Sequence, residues 1–366
     1  MNPKLRSSVS RVDLCGGIVE FFKSNTRTQA RIRTGSDAIL KILDVLDGTK
    51  AVEDIAKSFN VEPTSLEKFL AFLRAKSILD NVEPSSDFDA FDSFRRVIFF
   101  IEDYATSHQH LVDMWANIRK STVLIVGLGA VGSWVACNLA QSGVKSFIVL
   151  DPDTVDVSNL HRQFGYTEKD IGRFKVDALA DTLKKFAQDI HVQKIAATLD
   201  ETSLTQLDGC RINLIINCAD QPTVDLTSKW CGEYGMMRNI PHIIGGGYNL
   251  HLSLIGQTVI PHESACVRCF EKTLNEENRI DPERVKKLQV RNRKIGCLGS
   301  ICALNASMIG MEAIKILSRC VTPANLNRRG EFDVFSMNVQ YRTFAKRDDC
   351  EWCGINGKYR RRANNS

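Results

Sequence analysis

The run Val123-Leu124-Ile125-Val126-Gly127-Leu128-Gly129-Ala130-Val131-Gly132 decides the fold, together with Phe147-Ile148-Val149-Leu150 and the Asp151 that closes it. A short apolar run bounded by glycine reads as a buried parallel strand, and glycines in this spacing lead from such a strand into a helix. Gly127 allows the tight turn, Gly129 lets the backbone approach a phosphate, and Gly132 permits close helix packing. The helix then offers its free N–H groups and positive end to an anion. Asp151, at the end of the second strand, is placed to accept hydrogen bonds from ribose hydroxyls. The pattern predicts a Rossmann-type mononucleotide site.

The crossover after that strand carries more than nucleotide binding needs. Asp153, Asn159, Arg162, Gln163 and Lys175 form a polar and cationic set suited to handling a triphosphate, so the site is expected to break ATP. The strings Asp151-Pro152-Asp153, Asn159-Leu160-His161-Arg162-Gln163 and Gly172-Arg173-Phe174-Lys175 resemble the adenylation domain of E1-type activating enzymes. That family includes ubiquitin activators, bacterial activators of thiamin and molybdopterin sulfur carriers, and peptide-modifying enzymes of the microcin C7 and pantocin A kind. The resemblance covers roughly residues 92 to 353. It implies that Arg162 and Lys175 contact the ATP phosphates, that Gln163 and Asn159 position the triphosphate and adenylate, and that Asp151 holds the ribose. It also places Asp220, in Asn217-Cys218-Ala219-Asp220, at the magnesium-binding acid; a helix cap before Pro222-Thr223 is the other reading. E1-like homodimers reach an arginine into the neighbouring subunit's site, and Arg95-Arg96 stands in a similar place, with Arg96 the chosen candidate against plain surface charge.

The twelve cysteines fall into classes. Cys266-x-x-Cys269 and Cys350-x-x-Cys353 are two pairs, and neither follows a strand and opens a helix as a redox pair would. Two such pairs can close a tetrahedral S₄ structural zinc site, which is also the family pattern. Cys302 is expected to pack as a small hydrophobe, and Cys297 is left open between packing and chemistry.

The chain has 366 residues, 48 basic against 43 acidic side chains, and a formal charge of +5, too mild to demand a nucleic-acid partner. The N-terminus lacks the apolar core of a signal peptide, and no stretch is read as crossing a bilayer, so the expected location is cytoplasmic, without a membrane partner. The expected architecture is α/β. A Rossmann-like E1 adenylation domain over 119–355 has a mostly parallel sheet and late antiparallel strands. Before it stand a winged-helix-like α+β domain over 1–84 and a linker with a dimer-associated segment over 85–118; a basic tail, 356–366, follows. Within 1–84, a hairpin around Gly16-Gly17 leads to helices carrying Ile42 and Leu43, Ile55 and Ala56, and Leu66, Leu70 and Leu73.

This first region resembles the peptide-binding domains of enzymes that modify ribosomally made precursor peptides. There the leader adds a strand to the small sheet, with backbone bonds giving affinity and alternate side chains selectivity. Its third helix exposes Glu67, Lys68, Arg74 and Lys76, too few donors for a DNA-reading helix. The expected function is ATP-dependent adenylation of a carboxylate or amide on a precursor peptide, leading to dehydration or cyclisation in antibiotic biosynthesis, with glutamate side chains as one target, as in pantocin A. The alternatives are a microcin C7-like peptide–nucleotide bond, adenylation of the Gly-Gly end of a ubiquitin-like sulfur carrier, and a non-catalytic leader-binding partner. ATP, Mg²⁺ and Zn²⁺ are the expected cofactors, and a homodimer the expected assembly.

Overall fold

The computed structural model describes residues 2–35, 38–82, 93–245, 248–249, 252–281, 284 and 296–360. Most of the linker, the end of the charged stretch after Glu271 and the last arginines of the tail lie outside them. The chain divides into two compact units, Met1–Asn117 and Ile118–Ser366.

In the first unit, β1 (Asn2–Leu5) pairs antiparallel with β5 (Leu79–Val82). Strands β2 (Val9–Asp13), β3 (Ile18–Lys23) and β4 (Thr28–Arg33) form an antiparallel sheet in that order. The turn between β2 and β3 runs through Cys15, Gly16 and Gly17, all with positive φ, and a Cβ on Gly17 would lie 2.7 Å from the Thr34 carbonyl oxygen. Helices α1 (Ala38–Asp44), α2 (Val52–Phe59) and α3 (Pro63–Ala75) pack Ile42, Leu43, Ile55, Leu66, Leu70 and Leu73 with Val19 and Phe21 from the sheet. Glu62 caps α3: its carboxylate accepts the Ser65 N–H at 2.8 Å, with Pro63 in the first turn.

Helix α4 (Arg95–Glu102) and helix α5 (His108–Lys120) follow. Both histidines stand in the first turn of α5, and His110 Nδ1 accepts the Thr106 N–H at 3.1 Å, a local bond. Buried Arg6, just after β1, ties β5 to the segment after α4: it pairs with Asp80 at 2.8 Å and donates to the Ala105 carbonyl at 2.6 Å.

The second unit is built on a six-stranded sheet. From one edge to the other it runs β13 (Thr258–Val259), β10 (His242–Ile244), β9 (Leu214–Asn217), β6 (Thr122–Val126), β7 (Ser146–Leu150) and β8 (His191–Ile195). Every pairing is parallel except β10 with β13. The chain moves outward from β6 through α6 (Gly132–Gln141), β7, α7 (Lys175–Lys184) and β8, then returns to the other side of β6 as β9. The reversal lies between β6 and β9, and in open α/β sheets ligands bind at the strands' carboxyl ends at such a point. The register brings Val126 level with Leu150 and Asn217, so Gly127, Asp151 and Cys218 leave the sheet together.

Helix α8 (Val224–Arg238) joins β9 to β10. Strands β11 (Tyr248–Asn249), β12 (Leu252–Ile255), β14 (Arg328–Asp333) and β15 (Asn338–Thr343) form a separate antiparallel sheet, as the alternation suggested. Helix α9 (Val267–Glu277) takes up the start of the charged stretch. Helix α10 (Gly299–Ser318) is long and apolar enough by composition to span a bilayer, which corrects the reading that no stretch is. In the fold it packs on α6 and buries Cys302, Ala306, Ile309 and Ala313.

Candidate functional site

The glycine turn is held by contacts that admit no side chain. Gly127 has φ +85°, and a Cβ there would lie 2.6 Å from the Ala219 nitrogen; one on Gly132 would lie 1.9 Å from the Gly127 carbonyl oxygen. A Cβ on Gly129 meets nothing within 4 Å, so this part of the turn faces open space. The three glycines therefore differ: two are fixed by the protein's own packing, and the third leaves room for a ligand.

Asp151, 5 % exposed, locks the turn to the second strand. Its carboxylate accepts the Leu128 N–H at 2.6 Å and the Asp153 N–H at 2.9 Å. Burial pushes its carboxyl above the ordinary range, opposed by the Lys175 charge and those two bonds. Lys175 begins α7, is buried, and pairs with Asp153 at 2.7 Å. Two acids and a cation thus stand beside the turn. Tyr166, which the sequence reading passed over, donates from its hydroxyl to the Leu128 carbonyl at 2.9 Å and so ties the Arg162 segment to the glycine turn. Its signal was an aromatic shortly after Arg162-Gln163.

Asn159 is buried and turns inward as a loop brace, its Oδ1 accepting the Asp156 N–H at 3.1 Å. Arg162 is half-buried and donates to the Ser158 carbonyl at 2.5 Å. Gln163 is buried, and its Oε1 has no hydrogen-bond partner, an orphaned acceptor of the kind a bound ligand satisfies. Trp134 stacks on Phe164 at 4.2 Å, and an open cavity of about 390 Å³ is lined by Trp134, His161, Arg162, Gln163 and Gly299 among others.

Asp220 is exposed in the loop after β9, next to the Ala219 that meets the glycine turn. The cap of α8 is Thr223, whose Oγ1 accepts the Leu226 N–H at 3.2 Å, so capping does not account for Asp220. Buried Thr227 fixes this loop by donating to the Ala219 carbonyl at 2.8 Å. A second cavity, about 510 Å³, is lined by Val224, Asp225, Ser228, Ile244, Phe270 and Arg329 among others. The Arg329 guanidinium sits 4.4 Å from the centre of the Phe270 ring, its Nε is buried without a partner, and burial lowers its pKa. Arg96 lies exposed on α4 in the first unit.

The four cysteines of the two pairs converge. Cys266 and Cys269, at the head of α9, lie with Cys350 and Cys353 so that all four sulfurs fall within 4.8 Å of one another, each buried. Sγ separations are 3.5 Å for Cys266–Cys350, 3.3 Å for Cys269–Cys353 and 3.9 Å for Cys266–Cys269. A tetrahedral ion with metal–sulfur bonds of about 2.3 Å needs sulfurs about 3.8 Å apart. The cluster fits such an ion, and the Arg347 N–H points at Cys269 Sγ from 3.5 Å.

A parallel sheet whose switch point holds this turn, two acids and a buried lysine defines a nucleotide-binding α/β protein of the E1-like adenylating class. Residues 105–353 match the ThiF family, and the chain belongs to it. It is an ATP-dependent adenylyltransferase of that superfamily. Two curated relatives are the sulfur carrier protein ThiS adenylyltransferase of Escherichia coli and the molybdopterin-synthase adenylyltransferase of Salmonella typhimurium. The first is 30% identical over 246 residues, covering 66% of this chain and 90% of that protein. The second is 29% identical over 237 residues, covering 65% and 88%. Among solved structures, E. coli MccB with AMPCPP and MccA superposes with a TM-score of 0.75 at 20% identity, covering 97% of this chain and all of that one. PaaA superposes with a TM-score of 0.73 at 19% identity, covering 93% and 99%.

Proposed function

We propose that this protein adenylates the end of a short ribosomally made peptide, which the first unit holds by its leader, as a step in peptide antibiotic assembly. The carrying observation is coverage. The match to the sulfur-carrier activators takes in about two thirds of this chain, whereas the likeness to MccB, solved with MccA, takes in 97%. The first unit therefore has its counterpart in the peptide-bound structure. Its sheet supports this reading, because β2 and β4 are edge strands with one side free to pair with an extended peptide. The comparisons favour the microcin-like alternative over dehydration of glutamate side chains.

In this reading the amides of the glycine turn bind phosphate, Asp151 turns from its backbone partners toward the ribose, and Lys175 and Arg162 carry the triphosphate's charge. Asn159 holds the loop that presents Arg162 and Gln163. The activated end of the peptide enters the 510 Å³ cavity that opens at the start of α8, where the Arg329 guanidinium meets its oxygen. That oxygen attacks the α-phosphorus, the bond to the β-phosphate oxygen breaks, and pyrophosphate leaves. Charge spreads over the phosphoryl oxygens, and fixed cations stabilise it without covalent help. Asp220 would hold a Mg²⁺ ion, which would supply further positive charge against the developing phosphoryl charge. The four-cysteine cluster holds zinc as a structural ion, and the working form is a homodimer to whose second site Arg96 contributes.

The test incubates the full chain with ATP and the short peptide encoded beside its gene. Pyrophosphate and a peptide carrying AMP are expected, and a separately added leader should inhibit by competition. Failure of the leader to compete, with pyrophosphate released only for a small protein ending in Gly-Gly, would establish the sulfur-carrier reading that the sequence relatives favour.

A further inference from the structure

Two thiols stand outside the chemistry just described, against the arm that carries Arg162. Cys302 lies in the first turn of α10 and is fully buried, while Cys297, just before the helix, is partly open to solvent. Their sulfurs are 3.1 Å apart, inside ordinary sulfur contact. The turn of helix between them, with the Cys302 N–H on the Leu298 carbonyl at 3.3 Å, brings the two together. Gly299 stands between them in sequence, and a Cβ on it would lie 3.1 Å from the His161 carbonyl oxygen and 3.5 Å from the Arg162 Cα. The pair therefore sits on a segment in close contact with the backbone of the arginine assigned to the nucleotide. Burial, with the Cys297 contact, pushes the Cys302 thiol up to about 12, and the nearby Arg162 charge opposes that rise, so Cys297 is the sulfur that reacts first.

We propose that Cys297 and Cys302 are an oxidisable dithiol, closed by peroxide to an internal disulfide that weakens nucleotide binding through the Arg162 arm. The coupling rests on the proposed role of Arg162; the disulfide itself does not. Cys297, the accessible sulfur, attacks a peroxide oxygen as thiolate, becoming a sulfenic acid as the O–O bond breaks and hydroxide leaves. The Cys302 sulfur then attacks the Cys297 sulfur, its proton passes to the departing oxygen, and water is released. Two thiols and one hydrogen peroxide become one disulfide and two waters. Forming a bond of about 2.05 Å from sulfurs 3.1 Å apart draws them together by about an ångström. With Gly299 already tight on His161 and Arg162, that movement passes to the arm. A displacement of that size in a positioning group weakens function by about tenfold or more.

The full chain treated with hydrogen peroxide, then digested with trypsin without reductant, should give the peptide from Ile295 to Lys315 lighter by two hydrogens. Dithiothreitol should restore its mass. In Cys302→Ser, dimedone should trap a sulfenic acid on Cys297. The oxidised protein should bind a fluorescent ATP analogue about tenfold more weakly, and Cys302→Ser should bind equally before and after mild peroxide. Both thiols surviving peroxide, or Cys297 pairing elsewhere, overturns the dithiol. A formed disulfide with unchanged nucleotide binding overturns the coupling. Reduced protein that binds no nucleotide refutes the ATP site instead, leaving the disulfide to be judged by mass alone.

Discussion

Gly132→Ala and Gly129→Ala are expected to act on different states of the protein. A Cβ at 132 falls 1.9 Å from the Gly127 carbonyl oxygen, and ordinary contact begins at 3.4 Å, so the backbone must part by about 1.5 Å. Overpacking of this kind costs about 1–3 kcal/mol, which in a unit of this size lowers the melting temperature by roughly 3–10 °C. Because the displaced atoms are those of the phosphate turn itself, ATP affinity should fall about 100-fold. A Cβ at 129 meets no protein atom within 4 Å. Gly129→Ala should therefore leave the ligand-free protein within about 0.5 kcal/mol of its original stability. It should still weaken ATP by about tenfold or more, since the methyl group occupies the space through which phosphate approaches the backbone. Scanning calorimetry without nucleotide and titration of a fluorescent ATP analogue measure the two effects. Native ATP affinity in Gly129→Ala would show that this face of the turn does not meet the phosphates. An unchanged melting temperature in Gly132→Ala would refute the packing argument.

Elemental analysis should find about one zinc per chain, reduced in Cys353→Ser together with thermal stability; iron in its place would reject the assignment. Asp220→Asn and Lys175→Gln should each slow pyrophosphate release by about 10²-fold or more, with circular dichroism checking the fold because Lys175 is buried and ion-paired. ADP as product in the unaltered protein would reassign the step to γ-phosphoryl transfer. Buried His242 donates from Nδ1 to the Ile240 carbonyl at 3.0 Å, and burial drops its pKa from 6.5 to about 4. Below pH 6.5 the unfolded chain takes up a proton that the folded one refuses, so stability falls as pH drops toward 4, by about 3 kcal/mol in all. Urea melts of His242→Gln should lack this component of the acid sensitivity, and an unchanged slope would exclude His242 as its source.

The parts legible in sequence were those whose cause is local. Turn glycines, a strand-ending aspartate and paired cysteines need only their neighbours to be read, and the structure brings them to one sheet end and one cluster. Helix α8 was missed because Gly232 and Gly235 look like breakers. Their reason is distant: a Cβ on Gly235 would strike His242 at 2.3 Å, and one on Gly232 would strike Val267 at 2.7 Å. Strand β8 was missed because an exposed edge such as His-Val-Gln-Lys-Ile carries no apolar run. The 510 Å³ cavity draws its lining from α8, β10, α9 and β14, so no window of sequence contains it. The Cys297–Cys302 contact was within reach, but only the turn of α10 brings the sulfurs together.

The four-cysteine clamp has a consequence for how the protein is made. Cys266 heads the helix that contributes Val267 and Phe270 to the 510 Å³ cavity, and its partner Cys350 follows it by 84 residues. A chain emerges from the ribosome N-terminus first, so the glycine turn and the whole parallel sheet are outside before the second pair of sulfurs arrives. Nascent protein can therefore acquire its nucleotide fold early, yet the α9 wall of that cavity is fastened only in the closing moments of synthesis. A ribosome that stops short of Cys350 would release a chain with a nucleotide turn but an unanchored cavity wall.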